Sequence, residues 1–411
     1  MISAPVTQKI SEYGSLISPA RDKNEPIYNW HAFKHSYSKN LVEKLVGSFN
    51  LNEGSWVLDP FCGGGTTLLA CKELGINSMG YDILPFSVFL SNVKVRNYDP
   101  QDLRRHLKKF DKNNGTVLRN MSLPDIGIAD KAFSKDIKKE LLILRHKIRK
   151  IPNPEIRDFY MLGLLSILES VSNTSKSGGF LRITKRKVSS KDVLTRYLSR
   201  IETMINDVEK FNAASMFSKT KARAEISDSR QLSTERKFDA IITSPPYPNR
   251  HDYTRIYGLE MIFDFIRDND ELKQIRYNTL RSHVEARKQF EAPSYKQPAV
   301  INKIIARVKD AGLNNSKVPE MISGYFEDMY LSLCQMQKHL KKGGKLALVV
   351  SNVRFGGVNI PVDQLLAQIG EQAGLRTEDI LMARYRGNSA QQMGRFQRKP
   401  SRESIVVWKN A

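Results

Sequence analysis

The run Ser244-Pro245-Pro246-Tyr247 holds the residue types of this chain best suited to chemistry on a planar amine. It follows the apolar stretch Ala240-Ile241-Ile242-Thr243, which reads as a buried strand. Strand ends of open α/β sheets are where such folds place their ligands. Two prolines stiffen the backbone and remove N–H donors, so the local carbonyls and the Ser244 hydroxyl present acceptors. Tyr247 adds a flat ring for stacking. Acceptors beside a ring suit a nucleobase turned out of its helix, whose NH2 group must be held and oriented. A stiff turn with a packing tyrosine has the same local pattern.

A second motif is Asp59-Pro60-Phe61-Cys62-Gly63-Gly64-Gly65-Thr66-Thr67. It lies between the strand-like Trp56-Val57-Leu58 and a helical run from Thr67 to Leu74, which Gly75 closes. Strand, glycine turn and helix together let backbone amides approach a ligand. The spacing is not Gly-x-Gly-x-x-Gly, and no Gly-Lys-Ser/Thr follows, so neither a dinucleotide pyrophosphate loop nor a P-loop is present. A tight strand-to-helix turn without a ligand is the plain alternative. Asp82 ends the next short strand, where a carboxylate accepts from ribose hydroxyls or caps the helix from Pro85. Asp228 follows Ala224-Glu225-Ile226 and could accept from an adenine amino group, or be an ordinary loop aspartate.

Taken together, the glycine motif and Thr243-Ser244-Pro245-Pro246-Tyr247 resemble the S-adenosylmethionine-dependent DNA amino-methyltransferases. These enzymes methylate the N4 of cytosine or the N6 of adenine. Trp30-His31-Ala32-Phe33-Lys34-His35-Ser36-Tyr37-Ser38 lies where that family carries an extra N-terminal cofactor motif. The likeness is strongest over residues 26–99 and 221–260 and weaker over 323–411. It implies a Rossmann-like class I methyltransferase fold. Such a fold is α/β, with a mostly parallel seven-stranded sheet, a C-terminal antiparallel strand pair and, here, helical insertions. It implies S-adenosyl-L-methionine as cofactor, held by Phe33, Lys34, His35, Asp59, Pro60, Phe61, Cys62, Gly63, Gly65, Thr66, Thr67, Asp82, Ile83, Asp228 and Ser229. Ser244, Pro245, Pro246 and Tyr247 take the catalytic role. Double-stranded DNA is the implied partner, with room for a cognate restriction endonuclease.

Strands expected near 56–58, 77–81, 223–227 and 238–243 would carry these motifs. The methyltransferase core is then discontinuous, 1–99 and 221–411. The long gap between the second and third strands makes 100–220 a helical, basic insertion. Apolar residues at helical spacing mark Lys135 to Lys150, Phe159 to Val171 and Arg196 to Phe211. Between the last two, Ser175 to Lys187 reads as a phosphate-binding or merely mobile loop, with Arg182, Lys185, Arg186 and Lys187 as DNA contacts. A second basic insertion spans 267–320. His251, Tyr253, Arg255, Arg281 and Asn388 complete the expected DNA contacts. A helical stripe from Tyr325 to Leu340 should be capped by Gly343-Gly344, and a final strand pair is expected at 379–385 and 404–408.

The 411 residues include 65 lysines and arginines against 43 aspartates and glutamates, a formal charge of +22, which favours a polyanionic partner. A broadly basic surface would give the same balance. The three cysteines, Cys62, Cys71 and Cys334, have no metal-type or disulfide spacing, consistent with a reducing, cytoplasmic setting. Met1 to Pro5 does not begin a signal peptide, and no apolar run reaches membrane-span length. No cysteine follows a proline, which sets aside cytosine-C5 methylation through a covalent cysteine adduct. Within the family, serine at the first tetrapeptide position favours cytosine N4 over adenine N6. Methylation of RNA or of a protein glutamine, and a catalytically silent DNA-binding protein, are the other readings.

Overall fold

In the computed structural model, residues 5–110, 122–184, 188–214, 219–387 and 399–411 are described. The strands are β1 (Val6–Gln8), β2 (Trp56–Asp59), β3 (Asn77–Asp82), β4 (Thr174–Ser177), β5 (Phe180–Ile183), β6 (Ala222–Ile226) and β7 (Phe238–Thr243), followed by β8 (Leu340–Ser351), β9 (Val353–Phe355), β10 (Val358–Ile360), β11 (Leu375–Arg386) and β12 (Ser401–Asn410). Eight of them form one sheet in the order β1-β11-β12-β8-β7-β2-β3-β6. Strands β6, β3, β2, β7 and β8 run parallel, and β12 inserts antiparallel between β8 and β11. This is the Rossmann-like methyltransferase arrangement, seven strands with one reversed. The eighth strand is an addition to the expectation: β1 pairs parallel with β11 and covers the sheet edge.

Period-two alternation gives each central strand two apolar faces. Val57, Ala240 and Ile242 enter a core with Leu41 and Leu45, while Leu58 and Ile241 enter another with Phe326 and Met329. The helices of the 100–220 insertion are not a detached lobe. Leu141, Phe159 and Tyr197 share one core with Leu68, Phe86 and Leu90 of the helices that follow β2 and β3. Among its described helices, the three expected run Lys135–Arg149, Pro154–Ile167 and Lys191–Ala214, the second starting earlier than the apolar run suggests because Asn153 caps it and Pro154 opens it; Pro100–Phe110 and Gly127–Ala132 are two more.

Two local expectations are corrected. The helix Val318–His339 stops before Leu340, and Gly343-Gly344 is not its cap. It lies inside β8, where pairing with β7 jumps from Phe238–Leu340 to Ala240–Lys345 and Gly343 takes a φ of 77°. The Ser175–Lys187 stretch, expected as a loop, contains the β4–β5 hairpin. Its Lys176 points inward onto buried Glu260, so it offers no charge to a phosphate.

Candidate active site

The chain leaves β2 at Asp59 and turns through Pro60–Gly65 into the helix Thr66–Glu73. Gly63 and Gly65 adopt left-handed φ values of 47° and 76°. A Cβ on Gly63 or Gly64 would stand 2.8 Å from the Phe33 side chain. The close approach these glycines permit is therefore first to Phe33, whose ring lies along the loop. Phe33 is backed in turn by Tyr257, stacked at 4.6 Å between centroids and 15° between planes. Lys176 sits over the far side of Tyr257, 4.8 Å from its centroid, and pairs with Glu260, which also bonds His31 at 2.9 Å. Burial alone would raise the Glu260 carboxyl, but Lys176 and His31 hold it down at about 2.

Asp82, at the end of β3, accepts from the N–H of Gly63 at 3.0 Å and of Leu84 at 2.9 Å, so it fastens the glycine turn to the next strand. Asp59 accepts from the Thr243 hydroxyl at 2.6 Å and the Phe61 N–H at 3.2 Å. Burial pushes both carboxyls up to about 6. Two desolvated carboxylates side by side suit a cationic ligand, whose charge would relieve that cost. Between them and Phe33 lies a cavity.

Of the residues expected to hold the cofactor, Phe33, His35, Asp59, Pro60, Phe61, Cys62, Gly63, Thr66, Asp82, Ile83, Asp228 and Ser229 line this cavity. Thr67 is instead fully buried beneath the loop, and Gly65 packs against Ser91. Lys34 engages through its backbone N–H, which donates to the Tyr257 hydroxyl at 2.7 Å. Asp228 is not free for a ligand alone. Arg230 grips it at 2.9 and 2.8 Å and reaches on to the carbonyls of Asn278 at 2.7 Å and Lys288 at 3.1 Å. That grip draws Asn278, Thr279, Leu280, Ser282 and His283 onto the cavity wall. Sequence reasoning missed this segment, because it lies in the 267–320 stretch read as DNA-facing. The only sequence signal would have been the pairing of Asp228 with Arg230.

At the end of β7, the Ser244 hydroxyl donates to the Val349 carbonyl of β8 at 3.0 Å. The same hydroxyl lies a longer 3.5 Å from the Tyr247 hydroxyl, and Ser244 lines the cavity; with its proton on Val349 the oxygen keeps its lone pairs as an acceptor. Pro246 lines the same cavity. Pro245 is buried. Tyr247 differs from the open stacking platform expected of it. Its ring is 8% exposed, and its hydroxyl donates to Glu403 at 3.2 Å. Its surface faces a cavity of about 450 Å³ and a cleft of about 2800 Å³ beside Ser244. His35, with a φ of 63°, lines all three spaces and packs on His251 at 4.5 Å. Burial, then each other's proximity and Arg386 for His35, and burial with Arg386 for His251, lower the two rings to about 3 and 4, so both are neutral at pH 7.

The expected DNA contacts divide. Arg182 is exposed on β5. His251 and Arg255 line the large cleft, Arg255 paired with Asp252 and Glu285. Tyr253 belongs instead to the wall of the cavity beside Asp59 and Asp82, stacked with Phe33. Arg281 is corrected outright: it is buried, its guanidinium committed to Asp328 at 2.6 Å and Glu327 at 2.9 Å. Lys185, Arg186, Lys187 and Asn388 lie outside the described residues. Arg250 and Arg386, not anticipated, line the cleft. Among the described residues, no group of three acidic, histidine or cysteine side chains could hold a metal, and no helix is long and apolar enough to cross a membrane.

A family model described as DNA methylase matches residues 11–91. The chain is 30% identical to the type II methyltransferase M.BsoBI of Geobacillus stearothermophilus, over 96% of this chain and 87% of that protein. It is 29% identical to the type II methyltransferase M.AvaI of Nostoc sp. (strain PCC 7120), over 96% and 88% of the two chains. The type II methyltransferase M.MvaI of Kocuria varians is 24% identical over 46% of this chain and 45% of its own.

Proposed function

Because the chain belongs to the S-adenosylmethionine-dependent DNA amino-methyltransferases, we propose that it methylates the exocyclic N4 of a cytosine flipped from double-stranded DNA. It serves, in this reading, as the modification enzyme of a type II restriction-modification pair, acting in the cytoplasm where that DNA lies. S-adenosyl-L-methionine supplies an electrophilic methyl group on a sulfonium. Phe33, the Gly63 turn, Asp59 and Asp82 are the residues that would hold it, and the buried carboxylates fit its positive charge.

The observation that carries the reading is the Ser244 oxygen, fixed as an acceptor by its donation to Val349 and lining both the cofactor cavity and the smaller cavity next to it. An aromatic amine is a poor nucleophile because its lone pair is conjugated into the ring. Hydrogen bonds from its two N–H groups to Ser244 and the Pro245 carbonyl favour a pyramidal nitrogen with the lone pair aimed across the junction. The cofactor, when bound, would supply the electrophilic methyl carbon, and Ser244 and the Pro245 carbonyl would be the groups that turn the nitrogen lone pair toward it. Positioning supplies much of the rate. The acceptors steady the positive charge on the amine as it builds.

The large cleft is the proposed DNA face. Gly178 to Phe180 of the β4–β5 hairpin and Arg250, His251, Asp252 and Arg255 line it together with Ala311 to Asn315 and Ser351 to Phe355. Both insertions thus contribute to target binding. The substrate class is tested by offering labelled cofactor with genomic DNA, transfer RNA and a protein extract in parallel. Label confined to DNA is the expected result. Label in RNA or protein overturns the reading.

A further inference from the structure

The cavity of about 450 Å³ shares Ser244 and His35 with the cofactor cavity. An amine held at Ser244 can extend its ring into this smaller space, beside Tyr247. Its far wall is charged. Glu403 of β12, 2% exposed, receives Arg384 Nε at 2.6 Å, Arg386 Nη1 at 3.2 Å and the Tyr247 hydroxyl at 3.2 Å. Arg384 and Arg386 belong to the neighbouring strand β11. Arg386 lines both this cavity and the DNA cleft, and its side chain remains 36% exposed. Its charge is felt across the site, lowering the proton affinity of His35, His251, Tyr247 and Tyr253.

The Watson–Crick edges of the two candidate bases differ beyond the amine. Cytosine continues with two acceptors, N3 and O2. Adenine continues with one acceptor, N1, and then a C–H. A guanidinium is a rigid fork of donors suited to paired acceptors. With adenine, one donor would be left unpaired in a partly dry site. Resting on the cytosine-N4 reading, we infer that Arg386, oriented by Glu403, donates to N3 and O2 of the flipped cytosine and is the residue that rejects adenine. Ser244 then holds the amine, and Arg386 reads the rest of the edge.

The test uses the full chain and a duplex carrying its own site, located by mapping methylation in DNA from an expressing host. Arg386→Met should lower single-turnover methylation of the target cytosine roughly 10- to 100-fold, the range of one base-edge contact. Affinity for S-adenosyl-L-methionine and the thermal midpoint should stay unchanged. Arg386→Lys keeps a charge beside Glu403 and loses the fork, and should fall between the two. A readout without methyl transfer is binding of duplexes with 2-pyrimidinone or an abasic site at the target position. 2-Pyrimidinone keeps N3 and O2 and lacks the amine. The native protein should prefer it over the abasic duplex, and Arg386→Met should lose that preference. Native product N4-methylcytosine with undiminished rates and preference in both variants overturns the assignment of Arg386 alone. N6-methyladenine as the native product overturns the cytosine reading and this assignment with it.

Discussion

The hydroxyl of Ser244 and the carbonyl of Val349 meet at 3.0 Å, binding the chain just past β7 to the C-terminal end of its parallel neighbour β8. This bond assigns the hydroxyl proton and leaves the oxygen to accept from a substrate amine. Ser244→Ala removes the acceptor with little change in packing. The expected result is a fall in kcat of roughly 100-fold, comparable to loss of one preorganised transition-state contact. DNA and cofactor affinities should remain within about twofold, measured by titration, since neither rests on one serine hydroxyl.

Asp82 gives a pH dependence with a defined sign. Burial raises its carboxyl from 3.8 to about 6. Above that value it is ionised and, in the proposed binding mode, would accept from ribose hydroxyls. Below it the proton removes part of that acceptor capacity. The Kd for S-adenosyl-L-methionine should weaken as pH falls from 7 to 5, and Asp82→Asn should flatten the profile. For the ligand-free fold the sign is opposite. A carboxyl raised by folding contributes stability that is full below 3.8 and lost as pH rises through about 6. The thermal midpoint of Asp82→Asn, relative to the native chain, should therefore improve as pH increases across that window.

The glycine turn and Phe33 should behave as a unit. Gly63→Ala places a Cβ 2.8 Å from the ring at a φ of 47°. Strain of about 1–3 kcal/mol is expected there, read as cofactor affinity lowered about tenfold or more. Adding Phe33→Ala removes the clash but also a wall of the cavity. A double-mutant cycle should show non-additive losses, whereas additive losses would mean the ring and the turn act independently.

Lys176, Glu260 and His31 form a buried charged group behind Tyr257, with Lys176 and His31 each 4% and Glu260 1% exposed at the side chain. Removing one partner strands a charge. Lys176→Met should cost about 3–5 kcal/mol in urea unfolding. The double variant Lys176→Met with Glu260→Gln should recover much of that loss.

Arg281 and Arg255 separate structural from DNA-facing charge. Arg281→Met should lower stability by about 1.5–3 kcal/mol because it removes one of the two guanidinium partners of buried Asp328, leaving Arg230 at 3.0 Å. It should leave the slope of DNA affinity against salt unchanged. Arg255→Met should reduce that slope by about one, the signature of one lost phosphate contact, with little effect on the fold.

The parts legible from sequence were those with a period or a fixed local demand. Strands Trp56–Asp59 and Phe238–Thr243 emerged within a residue or two because Trp56-Val57-Leu58 and Ala240-Ile241-Ile242 are short apolar runs that suit a buried strand. The glycine turn was legible because Gly63 and Gly65 meet a backbone requirement. What escaped depended on long-range partners. Nothing local distinguishes Arg281, which pairs with Asp328, from Arg255 on the cleft. Lys176 looked like part of a basic loop because Glu260 lies 84 positions away. Tyr247 turned toward Glu403 because β12 returns beside β8, a topology that does not appear in the tetrapeptide.

The central claim is methyl transfer to the amine of cytosine at Ser244. It is tested most directly by incubating the protein with methyl-labelled S-adenosyl-L-methionine and duplex DNA, digesting to nucleosides and separating the products. Label is expected in N4-methylcytosine, forming roughly 100-fold more slowly with Ser244→Ala. Label in N6-methyladenine, or in N4-methylcytosine at an undiminished rate in Ser244→Ala, would contradict it.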